Sequence, residues 1–175
     1  MKTIRVRIDS LIPQLGRVRL FRLLPESAIR RLVEYSDFVE YEPQETIIRE
    51  HALEEDVYLI LEGSCAVMVE QENGQAYVAT LGAGQITGEA AIFSNMPRTA
   101  TVIAQDRVRL MRFERTAFML ALKKDPVAGM KVLFSIVHNL MVKLREVNLE
   151  LAFERRDAGD QSDVDAFIAS VMDGK

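Results

Sequence analysis

From Phe38 to Arg112 apolar and polar residues alternate in short runs, and turn signals recur roughly every eight to twelve positions. A period of two places successive side chains on opposite faces of a strand, so this stretch is committed to sheets and excluded from a helical bundle. It predicts strands at Phe38–Tyr41, Thr46–Arg49, Val57–Glu62, Cys65–Gln71, Gln75–Leu81, Thr99–Ala104 and Val108–Arg112. Asn73-Gly74, between two alternating runs, predicts a two-residue hairpin loop. Gly63 and Gly82-Ala83-Gly84 mark other turns. Many short, evenly spaced strands imply a mainly β fold of the sandwich or jelly-roll barrel kind.

The flanks have other periods. Residues 1–19 are expected to form a basic N-terminal extension, with Pro13 and Gly16 breaking any long element. Residues 1–31 carry Lys2, Arg5, Arg7, Arg17, Arg19, Arg22, Arg30 and Arg31 against Asp9 and Glu26. A solvated, partly disordered segment is the first reading of that charge run and an anionic partner the second. Pro25 and Glu26 open a helical period through Ala28, Ile29, Leu32, Val33 and Ser36. After Arg112 a short helix is predicted over Thr116–Lys123, and Asp125-Pro126 starts a longer one reaching about Arg156. Along it Met130, Leu133, Val137, Leu140, Leu144, Val147 and Leu151 recur at alternating spacings of three and four, a heptad seam. Val132, Phe134, Ile136 and Met141 lie off the seam and are expected to cover the strands. Two apolar faces on one helix favour a homodimer over a monomer. Residues 157–175 read as an acidic tail, a loop around Gly159 followed by a short amphipathic segment with Val164, Phe167, Ile168, Val171 and Met172 on one face. The expected organisation is an extension over 1–19, a β domain over 20–124, a dimerisation helix over 125–156 and the tail over 157–175.

A net charge of −4 argues against sequence-independent binding of nucleic acid by the whole chain. The single cysteine, Cys65, excludes an intrachain disulfide and fits a reducing cytoplasm, and its strand context predicts a buried, inert thiol. No secretory leader is seen and no apolar run is expected to span a membrane, so the protein is expected to be cytoplasmic.

The chemistry concentrates between Gly84 and Ala104, GQITGEAAIFSNMPRTATVIA. Gly88-Glu89-Ala90-Ala91 opens a short apolar turn of helix, Pro97 closes it, and Arg98-Thr99-Ala100-Thr101-Val102 leaves as a strand. A small-residue helix start leaves backbone N–H groups open to an anion, and a guanidinium is shaped to clamp two phosphate oxygens. Glu89 repels a phosphate; its natural partners are a sugar hydroxyl or Arg98. A metal enzyme on this fold needs converging histidines, and only His51 and His138 are present. No nucleophile–base pair or P-loop stands out, which leaves reversible binding in place of catalysis.

GEAAIFSNMPRTATV resembles the phosphate-binding cassette of the cyclic nucleotide-binding domain family, shared by catabolite-activator-type regulators and kinase regulatory subunits. The separation of nine positions from Glu89 to Arg98 is the family's. The resemblance implies an eight-stranded jelly-roll barrel with an N-terminal helical lid and a long C-terminal helix, through which the catabolite-activator relatives dimerise. It implies cAMP or cGMP as a regulatory ligand and no enzymatic activity. Arg98, Thr99, Ala100 and Ala90 are then the phosphate-binding positions, and Glu89 and Gly88 the ribose-binding ones. Thr99 leaves cAMP against cGMP open. Relatives contact the base partly from the long helix, where this chain offers Lys143, Arg145 and Asn148 without the hydroxyls of the catabolite activator. The early turns also depart from the family: Gln44, His51 and Glu54 stand where glycines are usual, implying different turn conformations or strain. The expected function is a cyclic-nucleotide sensor that signals through an interface with an unidentified protein, with no DNA-binding domain and no membrane partner. The alternatives are a scaffold that keeps the fold without ligand, and a transcription-regulator relative lacking its DNA-binding half.

Overall fold

The alternating stretch forms strands close to where its period places them. The computed structural model describes residues 1–93 and 96–172, with side chains described for residues 1–93, 96–149 and 151. The chain divides into two compact units, Met1–Ser135 and Ile136–Lys175. In the first, the strands are β1 Lys2–Thr3, β2 Asp37–Tyr41, β3 Thr46–Ile48, β4 Asp56–Glu62, β5 Cys65–Gln71, β6 Gly74–Leu81, β7 Ile86–Thr87, β8 Thr101–Ala104 and β9 Val108–Glu114. They form two antiparallel sheets, ordered β1-β2-β9-β4-β7 and β3-β8-β5-β6. The expected eight-stranded closed barrel is therefore corrected to nine strands in two sheets among the described residues. β1 and β7 are the additional pieces, each two residues long and invisible to a periodicity test.

Alternation sets the layers. Val39, Tyr41, Tyr58, Ile60, Val108 and Leu110 of the five-stranded sheet join Ile47, Ile48, Cys65, Val102 and Ala104 of the other in one buried cluster. The intervening residues Phe38, Val57, Leu59, Met111 and Phe113 are buried as well, so the five-stranded sheet is covered on both faces. Helices make the second cover: α1 Ile8–Leu15, α2 Glu26–Val33 and α3 Arg115–Lys124. Phe118 of α3 sets its ring 5.0 Å from that of Phe113 in an edge-to-face pair. α2 packs chiefly with α1 and α3.

The N-terminal segment is part of the fold and not a disordered extension. β1 pairs with β2, and α1 buries Leu11, Ile12 and Leu15 although Pro13 lies inside it. An internal proline costs a helix about 3 kcal/mol, whereas burying one such aliphatic side chain returns about 1.5–3 kcal/mol. Packing of three outweighs the break.

The hairpin is displaced by one residue. Gln71 pairs with Gly74, so the loop is Glu72-Asn73, and Gly74 takes φ +125° as the first residue of β6. The predicted strand from Thr99 begins at Thr101. Asp125 caps the final helix, α4 Pro126–Met172, by accepting from the Ala128 N–H at 3.1 Å, and it also pairs with Arg31. α4 runs through the expected loop at Asp157–Gly159. Propagating an existing helix is cheap, and one internal glycine costs only about 1 kcal/mol. The side chains of Val164, Phe167, Ile168, Val171 and Met172 lie outside the described ones.

Along α4, Met130, Val137, Leu140, Leu144, Val147 and Leu151 of the seam are exposed and Leu133 is half-buried. Of the residues expected to cover the strands, Val132 and Ile136 are buried, while Phe134 and Met141 are exposed. With Val127 these two form a second heptad-spaced row beside the seam, so the exposed apolar face is wider than a two-position stripe. Pro126–Leu149 is also long and apolar enough to cross a membrane by length and composition, with mean hydropathy 1.4, contrary to expectation. The buried core helix of a soluble protein meets the same criterion.

Candidate functional site

Gly88, Glu89 and Arg98 are brought together by three short elements. β7 delivers the chain along β4, with Ile86 opposite Leu59 and Thr87 opposite Tyr58. Gly88 then turns at φ +76° into a single 3-10 turn, Glu89–Ile92, whose apolar residues Ala91 and Ile92 are buried. A Cβ at Gly88 would lie 2.8 Å from Arg98 Nη1 and 2.8 Å from the Asp56 carbonyl oxygen, so only glycine lets the backbone approach this closely. Ser94 and Asn95 lie outside the described residues.

The return arm is fixed by backbone bonds. Arg98 N–H donates to the Ala52 carbonyl at 3.0 Å, and the His51 N–H donates to the Arg98 carbonyl at 2.9 Å. Thr101 Oγ1 accepts from the Glu50 N–H at 3.1 Å, holding the same loop one step further along. The Arg98 side chain is 7% exposed. Its Nη1 donates to the Gly88 carbonyl at 3.2 Å and its Nη2 to the Asp56 carbonyl. Its Nε is buried without a hydrogen-bond partner among the described residues. A buried unpaired donor costs about 1–3 kcal/mol, and the oxygen of an incoming anion removes that cost. Glu89 is 7% exposed beside it.

Ala90 and Thr99 are exposed at the surface of the same loop, and Gly88 and Ala100 are half-buried. The residues named for phosphate and ribose thus share one locale. Lys143, Arg145 and Asn148 belong to the second unit, where Lys143 is half-buried and the other two are exposed. Sequence reasoning missed Asp56 and the 51–52 loop. Both act through backbone atoms, which leave no side-chain signature.

The departing turns keep the left-handed conformation that a glycine would take. Gln44 has φ +69° and His51 φ +65°; Glu54 does not share it. Of the two expected outcomes the structure has strain, at about 1–2 kcal/mol for an L-residue. His51, 72% exposed at its side chain, packs little, so His51→Gly is expected to stabilise the chain. Relief of strain exceeds the entropy cost of glycine by about 0.5–1 kcal/mol. Thermal denaturation should show a rise of roughly 1–4 °C; a fall would mean that the His51 side chain contributes contacts of its own.

Burial raises the pKa of three interior groups. Burial raises the Cys65 thiol to about 11, and the nearby Asp106 adds to the effect. Burial likewise raises the phenols of Tyr58 and Tyr41. All three stay neutral at physiological pH.

The cyclic nucleotide-binding domain family matches residues 38–125, and the chain belongs to it. It is 26% identical to the potassium channel KAT3 of Arabidopsis thaliana over 147 residues, covering 82% of this chain and 22% of the channel. The chain thus spans about a fifth of that relative's length. A cyclic nucleotide-binding domain from Methylobacillus flagellatus superposes with a TM-score of 0.71 at 25% identity, over 79% of this chain and 78% of that one. The regulatory subunit of a cAMP-independent protein kinase A from Trypanosoma brucei gives 0.64 at 26% identity, over 79% and 52%.

Proposed function

We propose that this chain is a regulatory module that binds a cyclic mononucleotide reversibly at the Gly88–Ala100 cassette and carries no catalytic activity. The observation that carries the proposal is the buried Arg98, held at two donors by backbone carbonyls and left with an unsatisfied Nε. A phosphate oxygen fits that donor. Thr99 and the N–H groups of Ala90 and Ala100 complete the anion's shell, and Glu89 with the backbone at Gly88 accepts from the ribose hydroxyl. Isothermal titration with cAMP and with cGMP tests it: saturable binding of either supports the proposal, and no binding of either at about 1 mM, a Kd range of negligible affinity, removes it.

The output surface is the wide apolar face of α4, which we assign to self-association. Exposed Leu140, Leu144 and Val147 lie at heptad spacing on one helix, the pattern of a coiled-coil seam. Sedimentation should give a dimer at micromolar concentration, and Leu140→Glu/Leu144→Glu should give a monomer of unchanged helicity. A wild-type monomer would assign the face to another partner. The Trypanosoma relative, described as cAMP-independent, keeps a second reading open, in which this fold serves as a scaffold.

A further inference from the structure

The basic residues of the N-terminal segment have no role in the cassette, yet they are not scattered by disorder. The segment Lys2–Arg7 and α1, with residues of β2, β4 and β9, line an open cleft of about 740 Å³. That lies within the roughly 300–1,000 Å³ of small-molecule sites. Five cations line it, Lys2, Arg5, Arg7, Arg107 and Arg109, against the two carboxylates Glu40 and Glu62.

Both carboxylates are already engaged. Glu40, 5% exposed, accepts from Arg107 Nη2 at 2.6 Å and from Arg109 Nε at 3.0 Å. Glu62 accepts from Arg109 Nη1 at 3.0 Å. These pairs follow the strand register, in which Arg109 stands opposite Glu40 on one side and Glu62 on the other. The sheet side of the cleft is therefore a fixed ladder with its negative charge neutralised, and Glu40 is held below the usual carboxylate range by the two arginines. Lys2 stands opposite Glu40 across β1 and β2, Arg5 and Arg7 line the cleft just after β1, and none of the three forms an ion pair among the described residues. The cleft thus has three cations in excess of its carboxylates, beside the apolar side chains of Ile4, Val6 and Leu11.

We propose that this cleft is a second anion site, separate from the cassette, for a small phosphate ester carrying two or more negative charges. Guanidinium groups recognise phosphate oxygens in pairs. The apolar wall suits the organic part of such a ligand. A duplex or long polymer is a poor fit, because the chain as a whole is acidic, at −4.

Isothermal titration of the full chain with inorganic pyrophosphate and with ADP, at about 150 mM salt to screen unspecific attraction, tests the assignment. Binding is expected with Kd of roughly 10–100 μM for at least one probe. Arg5→Glu/Arg7→Glu should weaken it about tenfold or more by reversing two wall charges. Arg98→Ala should leave it unchanged, which separates this site from the cassette. Arg5 and Arg7 are exposed, and circular dichroism will report whether the double variant folds. If it does not, Arg5→Ala alone carries the test, with a loss of about threefold or more. No binding of either probe up to about 1 mM, equal affinity in the charge-reversed variant, or loss of binding in Arg98→Ala overturns the proposal.

Discussion

Arg98→Ala is expected to weaken cyclic-mononucleotide binding by about 100- to 1,000-fold while shifting the melting temperature of the ligand-free protein by only a few degrees. Each hydrogen bond to a charged group contributes about 1.5–3 kcal/mol, and tenfold in affinity is about 1.4 kcal/mol, so two such bonds to phosphate account for the loss. The small change in stability has a different origin. Alanine removes two hydrogen bonds, to the Gly88 and Asp56 carbonyls, but also removes a buried cation and its unsatisfied Nε. The desolvation relieved offsets most of the bonds lost. Arg98→Lys sharpens the test. A lysine keeps the charge but not the planar fork, so it cannot hold both carbonyls and also meet the ligand. Its affinity should fall between wild type and alanine. Titration of the three proteins with the same nucleotide reads the order directly; an alanine variant that binds like wild type places the ligand elsewhere.

The cassette was the most legible part of the chain, for a chemical reason. An arginine and a glutamate at the family's spacing among small residues carry the resemblance, and here Arg98 reaches the Gly88 carbonyl, next to Glu89 in the chain. What could not be read was the part contributed by backbone. The Asp56 carbonyl anchors Arg98 Nη2, but any residue at position 56 supplies a carbonyl. The same holds for Ala52 and His51 on the return arm. The strand assignments succeeded where the apolar run was long and bounded by turn signals, over β4, β5 and β6, and failed where an element was too short to show a pattern, as in β1 and β7.

Two larger misreadings came from giving local signals more weight than packing. Pro13 marked a break, yet tertiary burial of Leu11, Ile12 and Leu15 carries α1 through it. Gly159 and its acidic neighbours marked a loop, yet α4 continues to Met172, because extension costs little once a helix exists. The departing turns were read as a choice between new geometry and strain. Gln44 and His51 at positive φ decide for strain: the sheets and the cassette fix the turn, and the substituted residue conforms to it.

Gly88→Ala should be the most damaging single-methyl change in the cassette. The new Cβ meets Arg98 Nη1 and the Asp56 carbonyl oxygen, each at 2.8 Å, and Ile48 Cδ1 at 3.4 Å. The arginine can move aside, but the carbonyl cannot do so easily, because Asp56 is paired with Glu114 across β4 and β9. Overpacking of this kind costs about 1–3 kcal/mol, and an L-residue at φ +76° adds about 1–2 kcal/mol. A loss of about 3 kcal/mol lowers the melting temperature by roughly 6–12 °C for a chain of this size. Affinity should fall as well, since the methyl displaces the guanidinium from the Gly88 carbonyl. Gly84→Ala is the control. Gly84 also has positive φ, +85°, but a Cβ there meets nothing within 4 Å, so it carries only the conformational cost and leaves the cassette alone. Thermal melts and nucleotide titrations of the two variants then separate close approach from backbone conformation. Equal melting temperatures would assign the requirement at Gly88 to φ alone, whereas a much lower value for Gly88→Ala assigns it to the contact between Gly88, Asp56 and Arg98.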